Sequence, residues 1–115
     1  MKVVRNNVIP FKGFVAINLF GVVFIRNDRE FASEEEYQTT LRHEAIHTKQ
    51  MQELLYLPFY LLYFLEWLVR WAVYKDATRA YLNISFEREA YANQDKLDYN
   101  KGRKRYAFLR YIKNL

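Results

Sequence analysis

The two histidines of the chain lie four residues apart, in the segment His43-Glu44-Ala45-Ile46-His47. On an α-helix, residues i and i+4 share one face, so both imidazoles can reach a single metal ion at about 2.0–2.1 Å. Glu44 points to the side of that pair and can contact a metal-bound water without binding the metal itself. The spacing therefore predicts a zinc site in which Glu44 activates a zinc-bound water as a general base.

The remaining zinc ligand must be a carboxylate, because the chain has no other histidine and no cysteine. The best candidate lies in the segment Phe86-Glu87-Arg88-Glu89-Ala90-Tyr91, which we expect on a later helix. Two histidines and nine glutamates placed at random give the HExxH pattern in about one arrangement in a thousand. The alternative is a helix that carries two solvated histidines.

HExxH followed some forty residues later by Glu-x-x-Ala resembles the gluzincin group of zinc metallopeptidases. The resemblance implies His43, His47 and Glu87 as the zinc ligands and Glu44 as the base. Many gluzincins have Asp or Asn after the alanine, where this chain has Tyr91. The Tyr91 hydroxyl could serve the substrate oxyanion or a zinc ligand, or the ring could simply pack.

Most of the chain, notably residues 18–21 and 84–93, is also similar to small uncharacterised bacterial proteins of the Bacteroides group. This second resemblance implies no activity. The first resemblance favours a zinc-dependent metallopeptidase that acts on a peptide or protein substrate. The alternative is a non-catalytic, zinc-stabilised binding module, which could associate with a membrane.

The composition predicts a single zincin-like domain spanning residues 1–115, since 51% of the residues are hydrophobic and 18% are aromatic. The net charge is +5, and the last fifteen residues carry six basic side chains and no acidic one. Such a tail suits an anionic membrane surface or nucleic acid, or is only a solvated helix. The chain contains no recognised nucleic-acid motif, which argues against nucleic acid.

The order of sequence patterns predicts an α+β fold, with a small N-terminal antiparallel sheet or hairpin followed by a bundle of about four helices. Strands are expected at residues 3–5, 15–19 and 22–26, with turns at residues 10–13 and at Gly21. Ser33 should cap a long zincin-like active-site helix over residues 34–56.

Four further helices are expected after Pro58, which should break the active-site helix. The first is predicted over residues 59–74, and the second runs to Leu82 after a cap at Asp76. The third covers residues 86–99 after a cap at Ser85, and the last covers residues 103–112. Residues 100–102 look like a helix stop. On the fourth of the five helices, Glu89 should face solvent or a basic neighbour, because it lies about 200° from Glu87 around the axis.

Residues 54–74 are apolar enough to suggest a transmembrane helix, which needs about 20 residues. Pro58, Glu66 and Arg70 interrupt the segment, and Glu66 can pair with Arg70 one turn later. We therefore expect an amphipathic helix on the core that also lies on a membrane or a partner; the alternative is a wholly buried helix. The N-terminus predicts no cleavable signal peptide, so we expect a cytoplasmic protein or one peripheral on the inner membrane.

Overall fold

A three-stranded sheet opens the computed structural model of the chain, which describes residues 2–12 and 14–113. Strands β1 (Lys2–Asn6), β2 (Ala16–Leu19) and β3 (Val22–Arg26) are arranged in the order β1-β3-β2. The predicted antiparallel hairpin is confirmed as β2 and β3, but β1 is parallel to β3. The sheet is mixed because β1 and β2 lie on either side of β3, about 10 Å apart, and run in opposite directions.

The hairpin turn consists of Phe20 and Gly21, both with positive φ, at 54° and 90°. This two-residue turn is the type that matches the twist of antiparallel strands, and it confirms the turn predicted at Gly21. The Asn18 side chain supports the turn by accepting a hydrogen bond from the Gly21 N–H at 2.9 Å. Of the turn predicted at residues 10–13, Gly13 lies outside the described residues.

Helix α1 (Glu34–Glu53) begins as predicted, with Ser33 Oγ accepting a hydrogen bond from the Glu36 N–H at 3.1 Å. The helix ends at Glu53 rather than at residue 56. Leu55 and Tyr56 adopt positive φ, at 58° and 67°, so the chain leaves the helix before it reaches the proline. Proline then occupies the first turn of α2 (Leu57–Tyr74), where its missing N–H costs no hydrogen bond.

Helix α3 (Ala77–Leu82) begins at Asp76, whose side chain accepts a hydrogen bond from the Arg79 N–H as the sequence predicted. The cap predicted for α4 (Ser85–Asn93) is wrong. Ser85 is already the first helical residue, and its hydroxyl donates to Glu66 Oε1 at 2.6 Å. A neighbouring helix therefore takes up the hydroxyl that a local cap would use.

The C-terminal helices are shorter than predicted. Helix α4 ends at Asn93, α5 is a single turn (Tyr99–Gly102) at the expected helix stop, and a 3-10 helix (Ala107–Tyr111) replaces the helix expected over residues 103–112. Arg103 follows α5 with an extended backbone, at φ −66° and ψ 128°. Its guanidinium points into the protein and donates to both Glu53 and Glu89.

The hydrophobic core joins α1, α2, α4 and the 3-10 helix. Its buried members are Met51, Phe59, Ile84, Phe86 and Phe108. Helices α1 and α4 pack against each other in this core, and α2 contacts both α1 and α3. The arrangement places the middle of α1 opposite the first turn of α4.

The ion pair predicted within α2 forms, with Arg70 Nε donating to Glu66 Oε2 at 3.0 Å. It points into the protein, and Arg70 is only 2% exposed. Its guanidinium also donates to the Lys113 carbonyl at 2.9 Å. Within residues 2–12 and 14–113, no helix combines the length and the apolar character that crossing a membrane requires.

Candidate metal centre

Helices α1 and α4 bring three side-chain atoms to one point. The Nε2 atoms of His43 and His47 are 3.1 Å apart. Glu87 Oε1 lies 2.9 Å from the first and 3.1 Å from the second. All three residues are buried. Ligand atoms around a tetrahedral zinc ion are separated by about 3.3 Å, so the triangle is close to the size that zinc requires.

The Nδ1 atom of each histidine faces a glutamine oxygen on the other side of the ring. Gln94 Oε1 lies 2.8 Å from His43 Nδ1, and Gln50 Oε1 lies 2.8 Å from His47 Nδ1. A carboxamide oxygen only accepts hydrogen bonds, so each Nδ1 carries a hydrogen. A neutral imidazole with hydrogen on Nδ1 has a lone pair on Nε2, which is the form that binds a metal.

The orientation of the Gln50 amide is fixed independently of the histidine. Its Nε2 donates to the Phe86 carbonyl at 3.1 Å and to Glu89 Oε1 at 3.0 Å. Both partners are acceptors, so the nitrogen must face them and the oxygen must face His47. Two imidazole Nε2 atoms and a carboxylate oxygen therefore converge, and either a metal ion or a proton on Nε2 between them offsets the repulsion of their lone pairs.

The electrostatics of the cluster favour positive charge at its centre. Burial alone would lower the pKa of His47, but the Glu87 carboxylate outweighs it and raises that pKa to about 9. Burial alone would raise the pKa of Glu87, yet the two histidines hold it well below its usual range. Glu87 is thus kept ionised, the state in which a carboxylate binds a metal.

The second oxygen of Glu87 accepts a hydrogen bond from the Tyr63 hydroxyl at 2.5 Å. Tyr63 lies on α2, so a third helix fixes the carboxylate. With Oε2 held in this way, only Oε1 is directed at the histidines. No local sequence pattern predicts this contact, because Tyr63 is one of many aromatic residues on α2 and lies 24 positions before Glu87.

Glu44 lies at the edge of the same cluster. One of its carboxylate oxygens is within 4.8 Å of ligand atoms of His43 and His47, so these three residues alone could hold a metal ion. Glu87 is nearer to both Nε2 atoms. Burial raises the pKa of Glu44 despite the opposing effect of the histidines. Both facts fit a base beside the metal better than a ligand.

The hairpin is attached to α1 directly beside Glu44. Asn18 Nδ2 donates to the Glu44 carbonyl and to Thr48 Oγ1, each at 2.9 Å. One buried asparagine therefore supports the hairpin turn and fixes β2 against the middle of α1. Sequence reasoning missed this contact, although an asparagine inside a strand is itself an uncommon choice.

Tyr91 packs edge-on against His43, with ring centroids 4.5 Å apart. Its hydroxyl lies 3.0 Å from that of Tyr81, and burial raises the pKa of both phenols. The Tyr91 side chain remains partly exposed. The structure thus places Tyr91 beside the metal cluster, and its proposed service to a substrate oxyanion stays a prediction.

Glu89 is fully buried, so the expectation that it faces solvent is wrong. The alternative of a basic neighbour is confirmed, and that neighbour is Arg103. Its carboxylate accepts hydrogen bonds from Arg103, Tyr99 and Gln50. A chain of contacts thus runs from the basic tail through Glu89 and Gln50 to His47. At least one basic residue of the tail, Arg103, belongs to the core.

Comparisons of the chain with protein-family models, curated proteins and solved structures found no match. The resemblance to gluzincins therefore rests on the two motifs. The geometry described above is the evidence that bears on the chemistry of the site.

Proposed function

We propose that the protein is a zinc-dependent hydrolase of peptide bonds, with His43, His47 and Glu87 as ligands and Glu44 as general base. The convergence of the two imidazole Nε2 atoms and Glu87 Oε1, with both Nδ1 hydrogens directed at glutamines, is the observation that carries the proposal. Three protein ligands with a fourth position left for water are the pattern of catalytic zinc.

Zinc held by His43, His47 and Glu87 would supply a Lewis acid and would lower the pKa of a coordinated water to about 7. Glu44 would accept a proton from the attacking water and would then donate it to the leaving amine. A raised pKa suits this exchange, because a base whose pKa is nearer to the working pH can both take and return the proton.

The edge of β2 supports a peptide substrate, as an extended chain can add to it by β-augmentation. In the hairpin register, the backbone groups of Ala16 and Asn18 face away from β3. The Tyr60 hydroxyl accepts from the Phe20 N–H at 2.8 Å and donates to the Asn18 carbonyl at 3.0 Å. We therefore place the peptide along the first half of β2, around Ala16.

Glu44→Gln tests the mechanism, because it keeps the size of the side chain and removes its basicity. We expect zinc content and folding to match the wild type, and peptide hydrolysis to fall by about 10²–10⁴, the usual contribution of general acid–base catalysis. His43→Ala should instead lose zinc and activity together. Elemental analysis and a peptide library screened with the wild type provide the measurements.

The two variants also separate the enzyme from a zinc-stabilised binding module. A wild type that holds one zinc per chain and cleaves no peptide in the library supports the module. Full hydrolysis by Glu44→Gln shows that Glu44 is not the base. A chain that takes up no zinc at neutral pH overturns both functions.

A further inference from the structure

Helix α2 directs its charged side chains inward and most of its apolar side chains outward, with Phe59 as the apolar residue in the core. Tyr63 and Arg70 face the protein and make the contacts described above. Every exposed position of the helix is Leu, Val, Phe, Trp, Ala or Pro. We call these positions the outward face of α2; Leu57, Leu61 and Val73, at 69%, 61% and 51% exposure, span its length.

This pattern is the reverse of an ordinary surface helix, which turns its apolar stripe to the core and its charges to water. At 1.5 Å per residue, the outward face extends for about 25 Å. Contiguous apolar surface of this size marks an interaction site in a folded protein. The outward face therefore needs an apolar partner.

Basic side chains border the C-terminal end of the outward face. Lys75 ends α2, and the guanidinium of Arg79 lies 4.3 Å from the centre of the Tyr74 ring. Lys113 is held beside α2 by the bond between its carbonyl and Arg70. The nearby Asp76 carboxylate is engaged by the Arg79 N–H as a helix cap. We call Lys75, Arg79 and Lys113 the basic rim.

The basic rim distinguishes a lipid surface from a second copy of the chain. In a two-fold antiparallel pairing of α2, each rim would lie over the first turn of the partner helix. That turn carries no acidic residue. A parallel pairing would set one rim against the other. Self-association therefore leaves the rim without countercharges, whereas an anionic leaflet provides them beside an apolar phase.

We propose that the outward face of α2 lies in the interfacial layer of an anionic membrane, with the basic rim on the lipid headgroups. The helix axis lies along the membrane plane, because the inward side of α2 stays packed on the protein core. Trp67 and Trp71 are stacked, with ring centroids 4.9 Å apart, and tryptophan prefers this depth of a bilayer. The proposal does not depend on zinc binding.

Sedimentation with vesicles of phosphatidylcholine alone, or of phosphatidylcholine with phosphatidylglycerol, tests the proposal on the full chain. We expect binding to the anionic vesicles at low salt, weakened by high salt, and quenching of tryptophan fluorescence by brominated lipid. The double variant Leu61→Glu/Leu65→Glu should bind at least tenfold more weakly. Leu97→Glu, at a still more exposed leucine between α4 and α5, should bind like the wild type.

The double variant Lys75→Gln/Lys113→Gln tests the basic rim, with a loss of about fivefold expected for each residue. Both positions are exposed, so circular dichroism should show an unchanged fold for this pair as for the leucine pair. No binding of the wild type at low salt overturns the proposal. So does a concentration-dependent dimer, seen by analytical ultracentrifugation without lipid, that Leu61→Glu/Leu65→Glu abolishes. Equal binding to neutral and anionic vesicles would show that the basic rim does not contribute to membrane binding.

Discussion

Gln50 is the residue that orients His47 for the proposed metal site. Its oxygen holds the Nδ1 hydrogen of His47, and its nitrogen is fixed by Glu89 and the Phe86 carbonyl. Removing such a partner of a ligating histidine costs about 10–100-fold in metal affinity, because the ring loses its orientation and basicity. The side chain is fully buried, so it has no access to water as a substitute partner.

We predict that Gln50→Leu lowers zinc affinity by about 10–100-fold while retaining the fold. Titration against a chromophoric chelator measures the affinity, and circular dichroism checks the helices. Gln52→Leu is the matched control, since Gln52 is exposed on the same helix. Equal affinities for the two variants would show that Gln50 does not act through His47.

For single residues, spacing along the sequence predicts only which side chains share one face of a helix. His43, Glu44 and His47 are fixed relative to one another by the helix itself, and the structure places them together. Glu87 came from the resemblance to a family pattern, and it also lies at the cluster. The partners Gln50, Tyr63 and Gln94 could not be predicted, because only the packing of separate helices selects them from many polar residues.

The hairpin and α1 act as one unit because of Asn18. Its amide bonds both the backbone of α1 and the turn of the hairpin, and the side chain is buried. Truncation would leave the Gly21 N–H without its side-chain partner and would remove the bonds of Asn18 to Thr48 and to the Glu44 carbonyl, which keeps the Thr48 hydroxyl. An unsatisfied buried polar group costs about 1–3 kcal/mol.

Asn18→Ala should therefore lower the free energy of unfolding by about 1–3 kcal/mol without changing the denaturant m-value. Urea titration followed by circular dichroism is the measurement. Asn27→Ala, an exposed position just after β3, is the control and should change stability by less than about 0.5 kcal/mol. A loss at Asn27 as large as that at Asn18 would contradict the role given to the buried amide.

Among the elements, the helix starts with strong side-chain caps and the ends of α2 and α3 were predicted correctly, whereas the ends of α1 and α4 were not. Ser33 and Asp76 cap α1 and α3 through bonds within four residues. The segment after α4 is held by ion pairs of Arg103 with Glu53 and Glu89, which join parts of the chain far apart in sequence and which no local pattern predicts. The face of α2 that packs on the core could not be predicted either, since a helical pattern does not show which face is buried.

The buried carboxylate of Glu89 makes the stability of the whole molecule depend on pH. Burial alone would raise the pKa of Glu89, but hydrogen bonds from Arg103, Gln50 and Tyr99 outweigh it and lower that pKa. A lowered folded-state pKa contributes stability above the unfolded-state value of about 4.3, and the contribution is lost as the pH falls through the folded-state value. Acid should therefore weaken the link between the tail and the core.

We predict that Glu89→Gln lowers the free energy of unfolding of the metal-free protein by about 1.5–3 kcal/mol at pH 7, since it removes one of the two carboxylates paired with the buried Arg103 and leaves only Glu53. Below about pH 4 the variant should lose less further stability than the wild type does. Denaturant titrations at both pH values measure this. Glu35→Gln, at an exposed position, is the control, and an acid dependence unchanged by Glu89→Gln would refute the assignment.

Both histidines of the 115-residue chain belong to the metal centre, so every imidazole signal of the molecule comes from that one place. A nuclear magnetic resonance spectrum of the ring protons should contain two histidine spin systems, with no surface histidine to overlap them. Long-range nitrogen–proton couplings distinguish Nδ1 from Nε2 in each ring. The spectrum of the unmodified protein can thus show which ring nitrogen carries hydrogen. It can also show when a metal binds at Nε2, without any engineered label.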